Sequence, residues 1–526
     1  MPEPAPTDTI PFAPGTPETS EAAKAAGTGR DAAALAAFGY PQQLHRRLGR
    51  YASFAAGFSF ISVLTTVFQF FAFGFSFGGA AFVWTWPLVL VGQLAVAACF
   101  AELAARYPIS GAVYQWATRL STPTFGWFAG WLMVIGQIVV VSAAALALQV
   151  VLPAIWSGFQ LVGGDPSPTT HSGAENAVLL GLVLLVVTTV VNVVDIRVMS
   201  VINSVGVTCE LIGIALLSVL LFTHTDRGVG VTLHTGHVAG GYLGAFLIAS
   251  FSAAYVLVGF DSAGEMSEET RAPSRTAPRT ILGAVLVAGV GGGLVILGGV
   301  LAAPSLTDGH LADQGLSYVL TSRLGSTPGR LLLADVAVAV CVATLAIQTA
   351  GARMVFSMAR DGALPASRRL AAVGSRTGTP KAPAVVVGVL AAAAMALSLA
   401  SASAYLALGT TCIVLVYAAY AMVTGPMLLR RLRGLPLGGR QGTDEIGRPL
   451  FSLGRWGLPI NVLAVVYGVA MAVNLAWPRA AVYDPQGGHW YLQYFTLLFL
   501  GGALLLGMVA HRVVRPQRAA EEEAVG

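Results

Sequence analysis

Charge is what this sequence has least of. Asp, Glu, Lys and Arg make up 10% of its 526 residues, against 55% hydrophobic residues. A water-soluble domain usually carries about 25% charged residues to cover its surface. Much of this surface must therefore be wetted by lipid. Cysteine is scarce as well. Cys99, Cys209, Cys341 and Cys412 all lie in apolar runs without a CxxC spacing. They read as small apolar side chains, not as a disulfide framework or a zinc site. None of the eight histidines falls in the middle of an apolar run, so neither a His-based metal site nor a buried His relay is expected. No nucleophile–base–orienter set stands at membrane depth, which excludes an enzyme, and no cofactor is expected. The net charge of +5 follows from how basic residues are distributed across the membrane and is no sign of nucleic-acid binding.

What the chain has instead is apolar runs long enough to cross a bilayer, about 20 residues each. Twelve are read, at 53–77, 82–104, 125–152, 176–195, 199–222, 243–264, 280–303, 330–357, 382–400, 404–429, 457–477 and 492–513. Barrel strands would be about 10 residues long with alternating polarity, and are excluded. With the N-terminus placed inside, only Arg227, Arg323, Arg330 and Arg479 face out, and the other 26 of 30 Lys and Arg face the cytoplasm. This asymmetry puts both termini in the cytoplasm of a multi-pass protein of the inner or plasma membrane. Residues 1–30 read as a disordered tail without the basic start and apolar run of a signal peptide. Residues 31–52 read as an interfacial segment anchored by Leu35, Phe38, Leu44 and Leu48. Residues 430–456 form a cytoplasmic loop and 514–526 a cytoplasmic tail.

Two runs are unusually rich in small polar residues. The first holds Gly57, Ser59, Ser62, Thr65 and Thr66; the sixth holds Ser252, Tyr255, Gly259, Asp261, Ser262 and Gly264. Small residues let membrane helices pack closely, but two such runs five helices apart suggest broken helices in a five-plus-five repeat. A repeat of five spans must be inverted in its second copy. The repeats would be 53–222 and 243–429, with 457–513 added.

Four stretches carry a resemblance: LAAFGYPQQLHRRLGRYASFAAGFSFISVLT, AELAARYPISGAVYQW, VGFDSAGEMSEETRAPSRTAPR and ARMVFSMARDGALP. They resemble the amino-acid/choline (γ-aminobutyrate permease-like) branch of the amino acid–polyamine–organocation superfamily. The resemblance implies an all-α membrane protein of leucine-transporter-type fold, twelve helices with two after the repeats, as a monomer or loose homodimer. It implies import of γ-aminobutyrate, choline, basic amino acids or related amines, with protons as the coupling partner. An uncoupled exchanger or a membrane nutrient sensor of the same fold stays open. A channel would show rings of like charge or a filter repeat, and neither occurs. The resemblance places Phe60, Ile61, Ser62 and Val63 at the first break and Ala254, Tyr255, Val258 and Gly259 at the second, as substrate-site residues. Phe60, Tyr255 and Phe260 offer rings for an aromatic cage.

Depth arithmetic assigns the acids. Asp261 falls about 27 Å into the sixth span at 1.5 Å per residue, near the cytoplasmic edge, and is read with Glu265 as a gate. Glu265, Glu268 and Glu269 with Arg271, Arg275 and Arg279 read foremost as a solvated loop, and Arg353 and Arg360 as snorkelling. Asp335 reads as lying near the outer edge. Glu210 falls about 16 Å into the fifth span, the one acid near the bilayer centre. A charged carboxylate there costs at least ~2.5 kcal/mol, so it must be protonated or paired. It is the expected proton-coupling residue, with a hydrogen bond to Gln137 as the alternative.

Overall fold

A computed structural model describes residues 29, 31–168, 170–235, 241–374, 377–399, 403–444, 447–484 and 487–525. Among them the protein is helical throughout, with only two isolated β-bridges and no sheet. Ten segments are long and apolar enough to cross a membrane, the first being Arg50–Arg106. That segment holds α1 (Arg50–Ile61), α2 (Val63–Gly78) and, after a 3-10 stretch, α3 (Thr85–Arg106). There follow α4 (Ala112–Leu120), α5 (Pro123–Leu146), α6 (Leu148–Ile155), α7 (His171–Val194) and α8 (Ile196–Thr223). The second half runs through α9 (Tyr242–Val256), α10 (Ser262–Glu265), α11 (Pro273–Ala302) and α12 (Ser326–Arg360). It ends with α13 (Lys381–Ala396), α14 (Ser403–Leu432), α15 (Gly457–Ala476) and α16 (Phe495–Val525).

The side chains divide as a bilayer demands. On α7, Val183, Val186, Val187 and Val190 are exposed, while Asn176, Thr188 and Asn192 are buried. Lipid receives the apolar stripe, and polar groups turn inward to find partners. α9 is shorter than a full span because it stops at Val256, and an irregular stretch separates it from α10. α1 and α2 are likewise parts of one run, divided at a single residue.

Three expectations need correction. Leu35, Leu44 and Leu48 are each 1% exposed, so these anchors of the 31–52 segment turn onto the protein and not outward to lipid. Arg46 of the same segment donates to the carbonyls of Thr270 and Asp31 at 3.0 and 3.1 Å. Glu265, Glu268 and Glu269 are fully buried, not solvated, because residues 257–272 fold back into the protein and face α12. Arg353 and Arg360 do not snorkel. Arg353 holds both oxygens of Glu269 at 3.1 and 2.9 Å, and Arg360 both oxygens of Glu268 at 2.8 and 2.9 Å. Of the three loop arginines only Arg271 and Arg279 are exposed; Arg275 reaches Asp444 at 3.5 Å.

Candidate functional site

The chain leaves the α-helix at Ser62, which sits in the left-handed region at φ 37°. Only one residue is out of helical geometry, yet the amides that open α2 lose their partners in the preceding turn. α8 supplies the replacement. Oε1 of Glu210 accepts from the Leu64 N–H at 3.0 Å and from the Ser62 hydroxyl at 3.0 Å. A carboxylate is favoured at a helix N-terminus by the exposed N–H groups and the helix dipole. Glu210 therefore bonds to the first break and not to Gln137. Gln137 donates instead to Glu265 at 2.6 Å.

The second break spans Leu257–Asp261, with Gly259 at φ 95°. Gly259 is required twice over. A side chain rarely adopts that φ, and a Cβ there would run into the Phe60 ring. The two breaks are thus pressed face to face. Tyr420 from α14 holds the second one: its hydroxyl accepts from the Gly259 N–H at 3.1 Å and donates to Asp261. Asp261 is fully buried beneath the break.

Between the breaks lies a cavity lined by Phe60, Ser62, Thr65, Thr66, Gln69, Val140, Ala144, Tyr255, Val258, Ala343, Ile347 and Ile413. It is tight, with about 10 Å³ of water-accessible volume, room for roughly one water. None of the lining residues is charged. Tyr255 lies against Phe70, ring centres 4.1 Å apart, and is 6% exposed.

Of the eight expected substrate-site residues, Phe60, Ser62, Tyr255 and Val258 line this cavity; Ile61, Val63, Ala254 and Gly259 do not. Those four are buried around it, and the Ala254 carbonyl accepts from Tyr417 at 3.4 Å. Phe260 leaves the expected cage, turning away to pack on Phe100 and Tyr420 at 5.8 and 5.3 Å. Gln69 was not singled out from the sequence. Its signal is positional: Ser62, Thr65, Thr66 and Gln69 follow the i, i+3, i+4, i+7 stripe of one helical face. Asp335 of α12 stands against Gly213 of α8, three residues beyond Glu210.

Below the second break the contacts are ionic. Glu269 and Arg353 are 0% and 1% exposed, Glu268 and Arg360 0% and 7%. Burial pushes the Glu269 carboxyl above its ordinary value, while the Arg353 guanidinium pulls it back down. Tyr114 and Gln115 of α4 converge on Asp361 at 2.9 and 3.1 Å. These contacts tie residues 257–272 and α4 to the end of α12, beside a small uncharged cavity. The family profile described as "Amino acid permease" matches residues 49–501, most of the chain.

The chain belongs to the amino acid permease family. The permease is 29% identical to "Amino-acid permease BAT1" of Arabidopsis thaliana over 478 residues, covering 85% of this chain and 88% of that one. It is 26% identical to "Amino-acid permease 2" of Neurospora crassa, over 92% of this chain and 90% of the relative. It is 24% identical to "Thiamine transporter thi9" of Schizosaccharomyces pombe, over 92% and 85%. It is a multi-pass membrane transporter and not an enzyme.

Proposed function

We propose that this permease is a secondary active importer of amino acids or related amines, such as γ-aminobutyrate, choline or basic amino acids, driven by protons. The observation that carries the reading is the meeting of two broken helices around one cavity, with a buried carboxylate on the first break. Broken helices supply backbone groups at mid-membrane, and repeats pivoting around them give alternating access. In this reading the two halves of Arg50–Arg106 cross separately and α9–α10 form a further crossing. That makes twelve spans, a five-plus-five inverted repeat of leucine-transporter type with two helices added, and both termini in the cytoplasm. Phe60, Ser62, Tyr255 and Val258 touch substrate, while Ile61, Val63, Ala254 and Gly259 shape the breaks. Asp261 and Glu265 belong to the inner gate.

The geometry favours a substrate that presents its amine end. Glu210 already fills the amide slot of α2, where a substrate carboxylate would otherwise dock. The Phe60 and Tyr255 rings offer their faces to an organic cation. The thiamine transporter among the relatives fits the same preference for cationic nitrogen. The test is a thermal-shift screen of purified protein against amino acids, γ-aminobutyrate, choline, polyamines and thiamine, followed by liposome uptake of the hits. Stabilisation by amines or amino acids is expected, and Tyr255→Ala should abolish it while leaving unliganded Tm within a few degrees. A screen without a hit, or stabilisation that survives Tyr255→Ala unchanged, overturns the assignment.

A further inference from the structure

Asp335 is a partly buried acid whose seat on α12 is made by a glycine on the facing helix. It lies on α12 at the flank of an exposed stripe that includes Leu331 and Val338. Its Oδ2 is buried without a hydrogen-bond partner among the described residues. A carboxyl group in such a position is expensive, and intramembrane acids are retained where they serve ion or proton movement. The space it occupies exists because residue 213 is glycine. A Cβ there would run into Asp335 Oδ2 and come within 3.1 Å of Leu64. Gly213 stands three residues after Glu210 on α8, hence on the same face one turn away. Through Gly213, Asp335 is brought within one helical turn of Glu210. The other groups presented here, Ser62, Leu64, Thr65 and Thr66 of the first break, are uncharged. Two acids set one helical turn apart in an apolar interior repel one another when both are ionised.

We propose that Asp335 is the proton-loading residue of this permease, receiving a proton from the outer side and passing it to Glu210 through the gap left by Gly213. This rests on the reading of Glu210 as the coupling group and adds the route by which it is filled. In the proposed topology α8 runs outward and α12 inward, so the Gly213–Asp335 contact lies on the outer side of Glu210. The step is a plain proton transfer. The O–H bond of Asp335 breaks and one forms on the Glu210 carboxylate, directly or through one water. Asp335 is left anionic and is reprotonated from outside. Once neutral, Glu210 holds the α2 amides less strongly, because a carboxylic acid is a poorer acceptor than a carboxylate.

The experiment uses infrared spectroscopy of the full chain in liposomes, with solvent deuterium as the probe. The protonated-carboxyl band missing in Glu210→Gln reports Glu210, and its shift on transfer from water to heavy water times proton access. Asp335→Asn should leave that band in place and slow its exchange at least about tenfold. Gly213→Ala, which keeps both acids but closes the gap, should do the same, and Asp335→Glu should restore exchange towards wild type. Wild-type exchange in both Asp335→Asn and Gly213→Ala overturns the relay and leaves the coupling reading standing. If Glu210→Gln removes no band, Glu210 does not hold a proton, and the coupling reading falls with the relay.

Discussion

The two broken helices solve one problem in opposite ways. The first breaks at a single residue, Ser62, held in the left-handed region at φ 37°. Its freed amide is taken by a carboxylate on another helix, Glu210. The second opens over Leu257–Asp261, turns at a glycine, and gives its free N–H to a neutral hydroxyl, Tyr420. A carboxylate can change charge and with it the strength of its grip; a tyrosine hydroxyl at such depth does not ionise near neutrality. At the first break the amide is held directly by a group that can change charge; at the second, Asp261 reaches the Gly259 amide only through Tyr420, and the break forms a wall packed on Phe60.

That contrast can be broken at the wall first. Gly259→Ala forces a side chain into the left-handed region and drives its Cβ into the Phe60 ring. Backbone strain of about 1–3 kcal/mol adds to overpacking of similar size. The variant should lose several degrees of Tm and all ligand-induced stabilisation. Wild-type binding would mean that the two breaks are not pressed together at Gly259.

Tyr420→Phe is next in size. It strips the Gly259 N–H of its acceptor and Asp261 of its donor, both inside the protein. A buried polar group left unsatisfied costs about 1–3 kcal/mol. Thermal unfolding should register the loss, while the dependence of binding on pH stays as in wild type. A changed pH dependence would make the second break the proton-sensitive one and reverse the contrast.

Glu210→Gln has the smaller effect on stability and the larger one on coupling. The amide oxygen can still accept from Leu64, so Tm should move by no more than about 1 kcal/mol in equivalent stability. Substrate binding and counterflow should persist, and accumulation driven by a pH gradient should vanish. Gradient-driven uptake at the wild-type level would place the proton elsewhere.

Much of this was legible in the sequence, and the misses have a shared cause. The apolar helices and the two breaks are written in local features: apolar run length and clustered Ser, Thr and Gly. That Glu210 needs a partner was legible too, because an acid in an apolar run stands out by depth; that the partner is the first break and not Gln137 was not. What depth arithmetic cannot supply is azimuth or partner. It put Asp335 near the outer edge but could not show that Gly213 makes room for it. Likewise the Glu265–Glu269 run looks like a solvated loop until Arg353 and Arg360, some ninety residues later, are brought to it. The sequence carries both halves of those ion pairs but nothing that matches them, since the pairing depends on how residues 257–272 fold back.

The smallest difference to be measured lies at Ser62 itself, between two substitutions that separate strain from grip. Ser62→Gly relieves the left-handed backbone, worth about 1–2 kcal/mol for a side chain there. It also loses the hydroxyl bond to Glu210, about 1.5–3 kcal/mol when the acceptor is charged, and adds freedom to the unfolded chain. The terms oppose one another, so its net change should stay near 1 kcal/mol. Ser62→Ala keeps the strain and loses the bond, so it should be the less stable of the two by about 1 kcal/mol. Thermal unfolding of both variants in one detergent measures the difference. If Ser62→Ala equals wild type, the Ser62 hydroxyl contributes nothing to the break, and the Leu64 N–H alone ties α2 to Glu210. If instead the difference disappears in a Glu210→Gln background, the hydroxyl acts through the Glu210 carboxyl group, and the grip on the first break depends on the state of that group.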